Sequence, residues 1–149
     1  MSLQAQIDQD IKAAMLAKQE ARLRGLRAIK AALLLAKTEK GASEQLTEEA
    51  ALKVLQKLVK QRKESAEIYQ QQNRPDLHQI EVEEITVIEA YLPKQLDLES
   101  IRTHIQTLMA EHAISGMKDM GKLMGLANQS LAGKADGKTL AQVVKELLS

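Results

Sequence analysis

Residues 133–148 read GKADGKTLAQVVKELL, and they carry the strongest structural signal in the chain. After the first six letters, apolar residues recur at the i, i+3, i+4, i+7 and i+8 spacing of one complete helix face. Asp136 precedes that helix as its N-cap, and Gly133 stands where an earlier helix would end. The stretch therefore predicts a helix–turn–helix corner. The apolar positions are Leu140, Val143, Val144, Leu147 and Leu148.

The same stretch contains Gly137-Lys138-Thr139, which resembles the end of a nucleotide-binding Walker A loop. That loop requires another glycine five positions before Gly137, and Ala132 occupies the place. It also follows a buried strand, whereas MGKLMGLANQSL at 120–131 has no strand pattern. We therefore reject this type of phosphate-binding loop.

The composition extends the helical signal to the whole chain. The 149 residues are 44% hydrophobic, with no Phe or Trp, two Tyr and only two Pro. Ala, Leu and Met favour helices, whereas strands favour aromatic and β-branched residues, so an all-α fold is expected. The absence of Cys excludes thiol nucleophiles and zinc–thiolate sites and fits a reducing cytoplasm. A net charge of +1 gives no global signal for nucleic acid or membrane.

Neither a secretory signal peptide nor a membrane span is predicted. The start, MSLQAQIDQD, lacks a basic head and an apolar block, and no apolar run is long enough to span a bilayer.

Three helices are predicted before Pro93. The first runs from Ser2 to about Glu39, and Gly41 and Ser43 stop it. The second starts at the N-cap Thr47 and ends at residues 73–76, because the residue before a proline avoids helical geometry. The third carries glutamates that mostly face water, at Glu81, Glu83, Glu84 and Glu89.

Three further helices follow residues 92–96, LPKQL, which are interpreted as an interdomain corner. Asp97 caps the fourth helix, and Ser115-Gly116 separates it from a fifth at about 117–131. The prediction is thus an N-terminal long-helix, hairpin-like domain over 1–93 and a small three-helix C-terminal bundle over 97–149. The expected inner stripe of the fifth helix is Met117, Met120, Met124, Ala127 and Leu131.

A candidate binding surface lies along the fifth helix and its corner. Two glycines within a helix cost about 1 kcal/mol each relative to Ala, so a bare surface there should have a use. The spacing alone favours close packing of another helix. The alternative is close approach of an RNA backbone, with lysines as phosphate partners. The residues are Lys118, Gly121, Lys122, Gly125 and Gln129 on one helix face, with Lys134 and Lys138 at the corner.

A secondary basic surface is centred on Arg24 and Arg27, which share a face of the first helix. Lys57, Lys60, Arg62 and Lys63 follow in the second helix. Pairing of these residues with nearby glutamates is the favoured interpretation, because charged exposed faces are common on helices. With no aromatic platform for base stacking, RNA binding would depend on phosphates and RNA shape.

No catalytic residue, metal site or cofactor is predicted. No Gly- and Ser-rich stretch supports a Ser–Lys nucleophile. His78 and Glu81 have i, i+3 spacing and are interpreted as a surface pair, because a helical-bundle metal site needs several such contributors. His104 and His112 are too far apart along one helix to share an ion.

Several segments resemble the YqeY proteins of the GatB/YqeY group, and the resemblance covers nearly the whole chain. The most specific are YLPKQL at 91–96 and the GKADGK corner; LRAIKAALLLAKTEK, KLVKQRKESAEIYQQQNRPDL, EVEEITVIEAYLPKQL and MKDMGKLMGL are the others. GatB is a subunit of the tRNA-dependent amidotransferase that converts Glu-tRNA(Gln) or Asp-tRNA(Asn) to the amide, and its tail domain contacts tRNA.

The resemblance implies a tRNA-binding accessory protein whose lysines and glycines of the fifth helix and corner, Gly133 and Gly137 included, form the binding surface. The catalytic body of GatB has no counterpart in this chain. Two alternatives remain: a component of a carbon–nitrogen ligase that uses glutamine as amide donor, acting with amidotransferase subunits, or a helical protein–protein adaptor.

Overall fold

The computed structural model describes residues 2–39, 41 and 46–149, so the predicted helix stop at Ser43 lies outside the described residues. Every regular element in these ranges is helical, which confirms the all-α prediction. A single 3-10 turn at Met117–Asp119 leads into α6. The helices are α1 Leu3–Leu16, α2 Glu20–Glu39, α3 Glu48–Gln71, α4 Pro75–Glu89, α5 Leu98–Glu111, α6 Met120–Ser130 and α7 Gly137–Leu148.

The chain divides into two compact units, Met1–Leu92 and Pro93–Ser149, each with its own apolar core. In unit 1, α2 packs against α1, α3 and α4, and α3 packs against α4. In unit 2, α5, α6 and α7 pack against one another. The largest fully buried side chains are Ile7, Leu26, Ile29, Leu33, Leu55 and Ile88 in unit 1, and Ile105, Leu123, Leu131, Leu140, Val143 and Val144 in unit 2.

The predicted single helix from Ser2 to Glu39 is wrong, because the chain breaks after Leu16. Lys18 takes a left-handed backbone conformation with φ of 55°, and α2 begins at Glu20. The break lets α1 fold back on α2, so that Ile7 and Ala14 join the same buried cluster as Leu26. Burial of these side chains offsets the strain of the turn.

The predicted helix starts are confirmed by their caps. The Thr47 hydroxyl accepts a hydrogen bond from the Ala50 amide at 3.1 Å, which begins α3. The Asp97 carboxylate accepts one from the Ser100 amide at 2.7 Å, which begins α5. This bond also holds the pKa of Asp97 below its usual range. Pro75 occupies the first turn of α4, where a missing amide proton has no cost.

The fifth predicted helix has a different inner face from the one expected. Met117 belongs to the 3-10 turn and is 46% exposed. Met120 and Met124 only border the core, whereas Leu123, Ala127 and Leu131 are buried within it. The side of α6 opposite Leu123 is therefore the side that carries the glycines and Lys122.

Candidate nucleic-acid interface

The outer side of α6 is uncovered. Gly121, Lys122, Gly125 and Gln129 are all exposed, because helical periodicity places them away from the buried Leu123 and Ala127. Lys118 is exposed in the preceding 3-10 turn.

The two glycines of α6 face open space. A Cβ atom added at Gly121 or Gly125 would have no heavy atom within 4 Å, apart from its own helix backbone and chain neighbours. The close-packing interpretation is therefore wrong for contacts within the described ranges. The glycine that does admit a close helix approach is Gly25 of α2, where an added Cβ would lie 2.7 Å from Val87 Cβ of α4.

The lysines of this surface are not engaged by carboxylates of the described residues. Lys118, Lys122, Lys134 and Lys138 are exposed, and none forms an ion pair with any carboxylate in the part of the chain that the structure describes. Unpaired ammonium groups beside bare helix backbone form a surface suited to a polyanion that approaches closely.

The corner between α6 and α7 is held rigidly by its own backbone. Gly133 has φ of 76°, which a left-handed helix end requires, and the Lys134 amide donates to the Leu131 carbonyl at 2.9 Å. Asp136 caps α7 by accepting a hydrogen bond from the Thr139 amide at 2.6 Å. The predicted helix–turn–helix corner is confirmed, and a helix, not a strand, precedes it.

The segment before α5 fastens this corner from a second side. Gln95 Nε2 donates to the Gly133 carbonyl at 2.6 Å, and the Leu96 amide donates to the Lys134 carbonyl at 3.0 Å. The two most specific segments of the sequence resemblance are therefore in direct contact. Sequence reasoning interpreted residues 92–96 only as an interdomain corner and missed Gln95, since nothing in a local pattern names a partner 38 residues away.

The secondary basic surface is partly neutralised by α4, which pairs Arg24, Arg62 and Lys63 with its glutamates. Arg24 of α2 lies 2.7 Å from a Glu83 oxygen and 3.5 Å from a Glu84 oxygen. Arg62 of α3 donates to Glu84 at 3.0 Å. Arg27 is exposed and forms no ion pair with the described residues. The arginine pair therefore offers less free charge than the lysines of unit 2.

The acidic face of α4 is also more buried than predicted. Glu84 is only 9% exposed, because it lies between the guanidinium groups of Arg24 and Arg62. Burial raises the pKa of the neighbouring Glu81, and the negative charge of Glu84 raises it further, while Arg62 acts in the opposite direction. The prediction that these glutamates mostly face water is therefore wrong: Glu84 is buried, Glu81 and Glu83 are half-buried, and Glu89 is exposed.

The histidines take structural positions. His78 does not form a surface pair with Glu81; its Nδ1 lies 3.0 Å from the Ala66 carbonyl oxygen, which links α4 to α3. His104 Nε2 lies 2.6 Å from the Ser130 hydroxyl, which links α5 to α6. Over residues 2–39, 41 and 46–149, no three His, Cys, Asp or Glu side chains are grouped as metal ligands. Among the same residues, no helix is both long and apolar enough to cross a bilayer.

Comparison with known proteins agrees with the resemblance seen in the sequence. The family model described as Yqey-like protein matches residues 4–148. The curated protein named Altered inheritance of mitochondria protein 41, mitochondrial, from Clavispora lusitaniae (strain ATCC 42720), is 40% identical over 83 residues. That alignment covers 56% of this chain and 47% of the relative, so the match spans about half of the relative's length.

Proposed function

The chain belongs to the Yqey-like protein family, and from that membership we propose that it is a tRNA-binding accessory protein without a catalytic site of its own. The proposed tRNA surface consists of Lys118, Gly121, Lys122, Gly125, Lys134 and Lys138. The single observation that carries the proposal is that four exposed lysines, none ion-paired among the described residues, lie before, within and after α6 along the chain, and that the two glycines of α6 have open surroundings.

Physical chemistry explains why this surface suits RNA. Phosphate contacts from lysine supply affinity without base specificity, and bare helix backbone lets a phosphate chain come closer than side chains would allow. The candidate surface has no aromatic side chain for stacking on unpaired bases, so a folded RNA read by shape fits better than a single strand. The resemblance to the GatB tail, which contacts tRNA, supports tRNA as the folded RNA.

Equilibrium binding of tRNA at several salt concentrations tests the proposal. The variant Lys118→Ala, Lys122→Ala, Lys134→Ala, Lys138→Ala should bind tRNA more weakly, because it loses phosphate contacts. Each lost contact should also flatten the slope of log binding constant against log salt concentration by about 0.7 to 0.9. The matched control changes Lys12, Lys57, Lys60 and Lys145 to Ala. All four are exposed, and none is ion-paired among the described residues, so it removes the same charge elsewhere.

The proposal fails if both variants bind tRNA equally, or if the wild-type protein prefers tRNA no more than a random RNA duplex. Selective loss in the control variant would instead place the binding surface on those four lysines, three in unit 1 and Lys145 in unit 2. Circular dichroism of both variants establishes that helicity is intact.

A role as a component acting with amidotransferase subunits is the alternative to this proposal, and action in the cytoplasm is part of it. The first is tested by glutaminase and transamidation assays with and without amidase partner subunits, where stimulation supports a component role. The second is tested by cell fractionation, since the relative's name assigns that protein to mitochondria and a cysteine-free chain suits any reducing compartment.

A further inference from the structure

The outer side of α2 carries an apolar patch that no described part of the chain covers. Leu34 is 52% exposed, Leu35 is 63% exposed, and Ala31 is also exposed. The core side of the same helix buries Leu26, Ile29 and Leu33, so α2 is apolar on two opposite sides over its second half. A second apolar side on a water-exposed helix indicates a contact surface.

Charged residues bracket this patch in a definite order. Arg27, Ala31, Leu35 and Glu39 follow at i, i+4 spacing and form one ridge along the helix. Arg27 and Glu39 are exposed, and neither forms an ion pair with the described residues. The ridge is therefore basic at its N-terminal end, apolar in the middle and acidic at its C-terminal end.

This order is complementary to itself when one ridge is reversed against another. We propose that α2 is the interface of a symmetric dimer, in which a second copy of this chain packs antiparallel on the ridge Arg27–Ala31–Leu35–Glu39. A two-fold axis at the level of residue 33 places each Arg27 beside Glu39 of the second copy. The same axis places each small Ala31 beside the larger Leu35 of the second copy.

The dimensions fit such a pairing. Twelve residues separate Arg27 from Glu39, about 18 Å of helix at 1.5 Å per residue. Because an i, i+4 ridge is inclined by about 26° to its helix axis, the two ridges and both ion pairs align when the antiparallel helices cross at about 50°. The competing contact of α2 with α4 involves Arg24 and Gly25 at the other end of the helix, which leaves the ridge accessible.

Sedimentation of the nuclease-treated full-length protein over a concentration series tests the proposal. The wild type should show a monomer–dimer equilibrium, and Leu35→Lys should abolish it. Arg27→Glu and Glu39→Arg should each weaken dimerisation by about tenfold or more, because each places like charges together at two symmetric positions. Lys57→Glu, an exposed change on α3, is the control that should leave dimerisation intact.

A mixture of the two charge variants gives the most specific readout. Arg27→Glu and Glu39→Arg protomers should form a heterodimer at least as strong as the wild-type dimer, since every facing pair is then again opposite in charge. A protein that stays monomeric at all concentrations overturns the proposal, as does a dimer that Leu35→Lys leaves unchanged or a mixture that fails to associate.

Discussion

At the scale of single residues, Gly25 and Gly125 have opposite surroundings in similar helices. Gly25 is buried against Val87, where a side chain has no room. Gly125 is exposed, and an added Cβ there has no neighbour within 4 Å. Packing of the described chain therefore does not explain a glycine at this position, whereas the proposed approach of RNA would explain it.

Substitution by Ala should separate these two roles. Gly125→Ala should raise the unfolding free energy by up to about 1 kcal/mol through helix propensity, yet weaken tRNA binding. Gly25→Ala should lower the unfolding free energy, because α2 and α4 must separate to admit the methyl group. Chemical denaturation and tRNA titration measure both effects. Unchanged tRNA affinity in Gly125→Ala would contradict close approach of RNA at this helix.

The Gln95 side chain helps to join the chain before α5 to the corner between α6 and α7. Gln95→Ala removes the hydrogen bonds to the Gly133 and Pro93 carbonyls, and we expect a loss of about 1 kcal/mol in unfolding free energy. The Leu96 amide should then exchange faster with solvent, because its bond to Lys134 loses support. Hydrogen exchange by NMR checks this, with Gln106→Ala, an exposed change on α5, as the control. Equal exchange rates of the Leu96 amide in both variants would show that Gln95 does not position this segment.

At the scale of elements, α4 is held between α2 and α3 by charge as well as by packing. Glu84 is the buried member of this ion-pair cluster, and it meets an arginine from each neighbouring helix. Burial of a carboxylate is tolerated only when such partners are present.

Removal of that carboxylate should be costly. Glu84→Ala leaves Arg62 half-buried without its partner, and we expect a loss of about 3 kcal/mol in unfolding free energy. Glu83→Ala removes a more exposed ion pair and should cost less than about 1 kcal/mol. Urea denaturation of both variants compares the two costs, and similar values would show that burial gives Glu84 no special weight.

Glu81 should make unit 1 less stable as pH rises. Its pKa is raised in the folded state, so the folded state binds this proton more tightly than the unfolded chain does. The resulting stabilisation is complete below the ordinary glutamate pKa and is lost as pH rises through the folded pKa. Glu81→Gln should therefore be more stable than wild type at neutral pH and lose that advantage in acid. Thermal unfolding across this range measures the effect, with exposed Glu64→Gln as the control; an advantage independent of pH would contradict it.

The helix ends were predictable from sequence because caps are local. Thr47, Asp97, Asp136 and Gly133 act on residues within one turn, so their neighbours in sequence are their neighbours in space. The break at Lys18 was not predictable in this way, since neither Gly nor Pro marks it and its cause is burial of α1 against α2.

At the scale of the whole molecule, the two units have separate cores and differ in which of their basic side chains are ion-paired. In unit 1, Arg24 and Arg62 are committed to α4, whereas the lysines of the corner in unit 2 remain unpaired among the described residues. The residues of the candidate surface could be predicted from the sequence, because the spacing of the lysines and glycines is visible there. The tertiary structure was needed to see that its lysines have no ion-pair partner among the described residues, since charges distant in sequence determine which cations are neutralised.

Protection of lysines tests most directly whether tRNA contacts the lysines of the 3-10 turn, α6 and the corner. The full-length protein would be acetylated with and without tRNA, and the modification at each lysine quantified by mass spectrometry. We predict that tRNA protects Lys118, Lys122, Lys134 and Lys138 while Lys12, Lys57 and Lys60 stay reactive. Protection of the second set, or of neither set at saturating tRNA, would contradict the account.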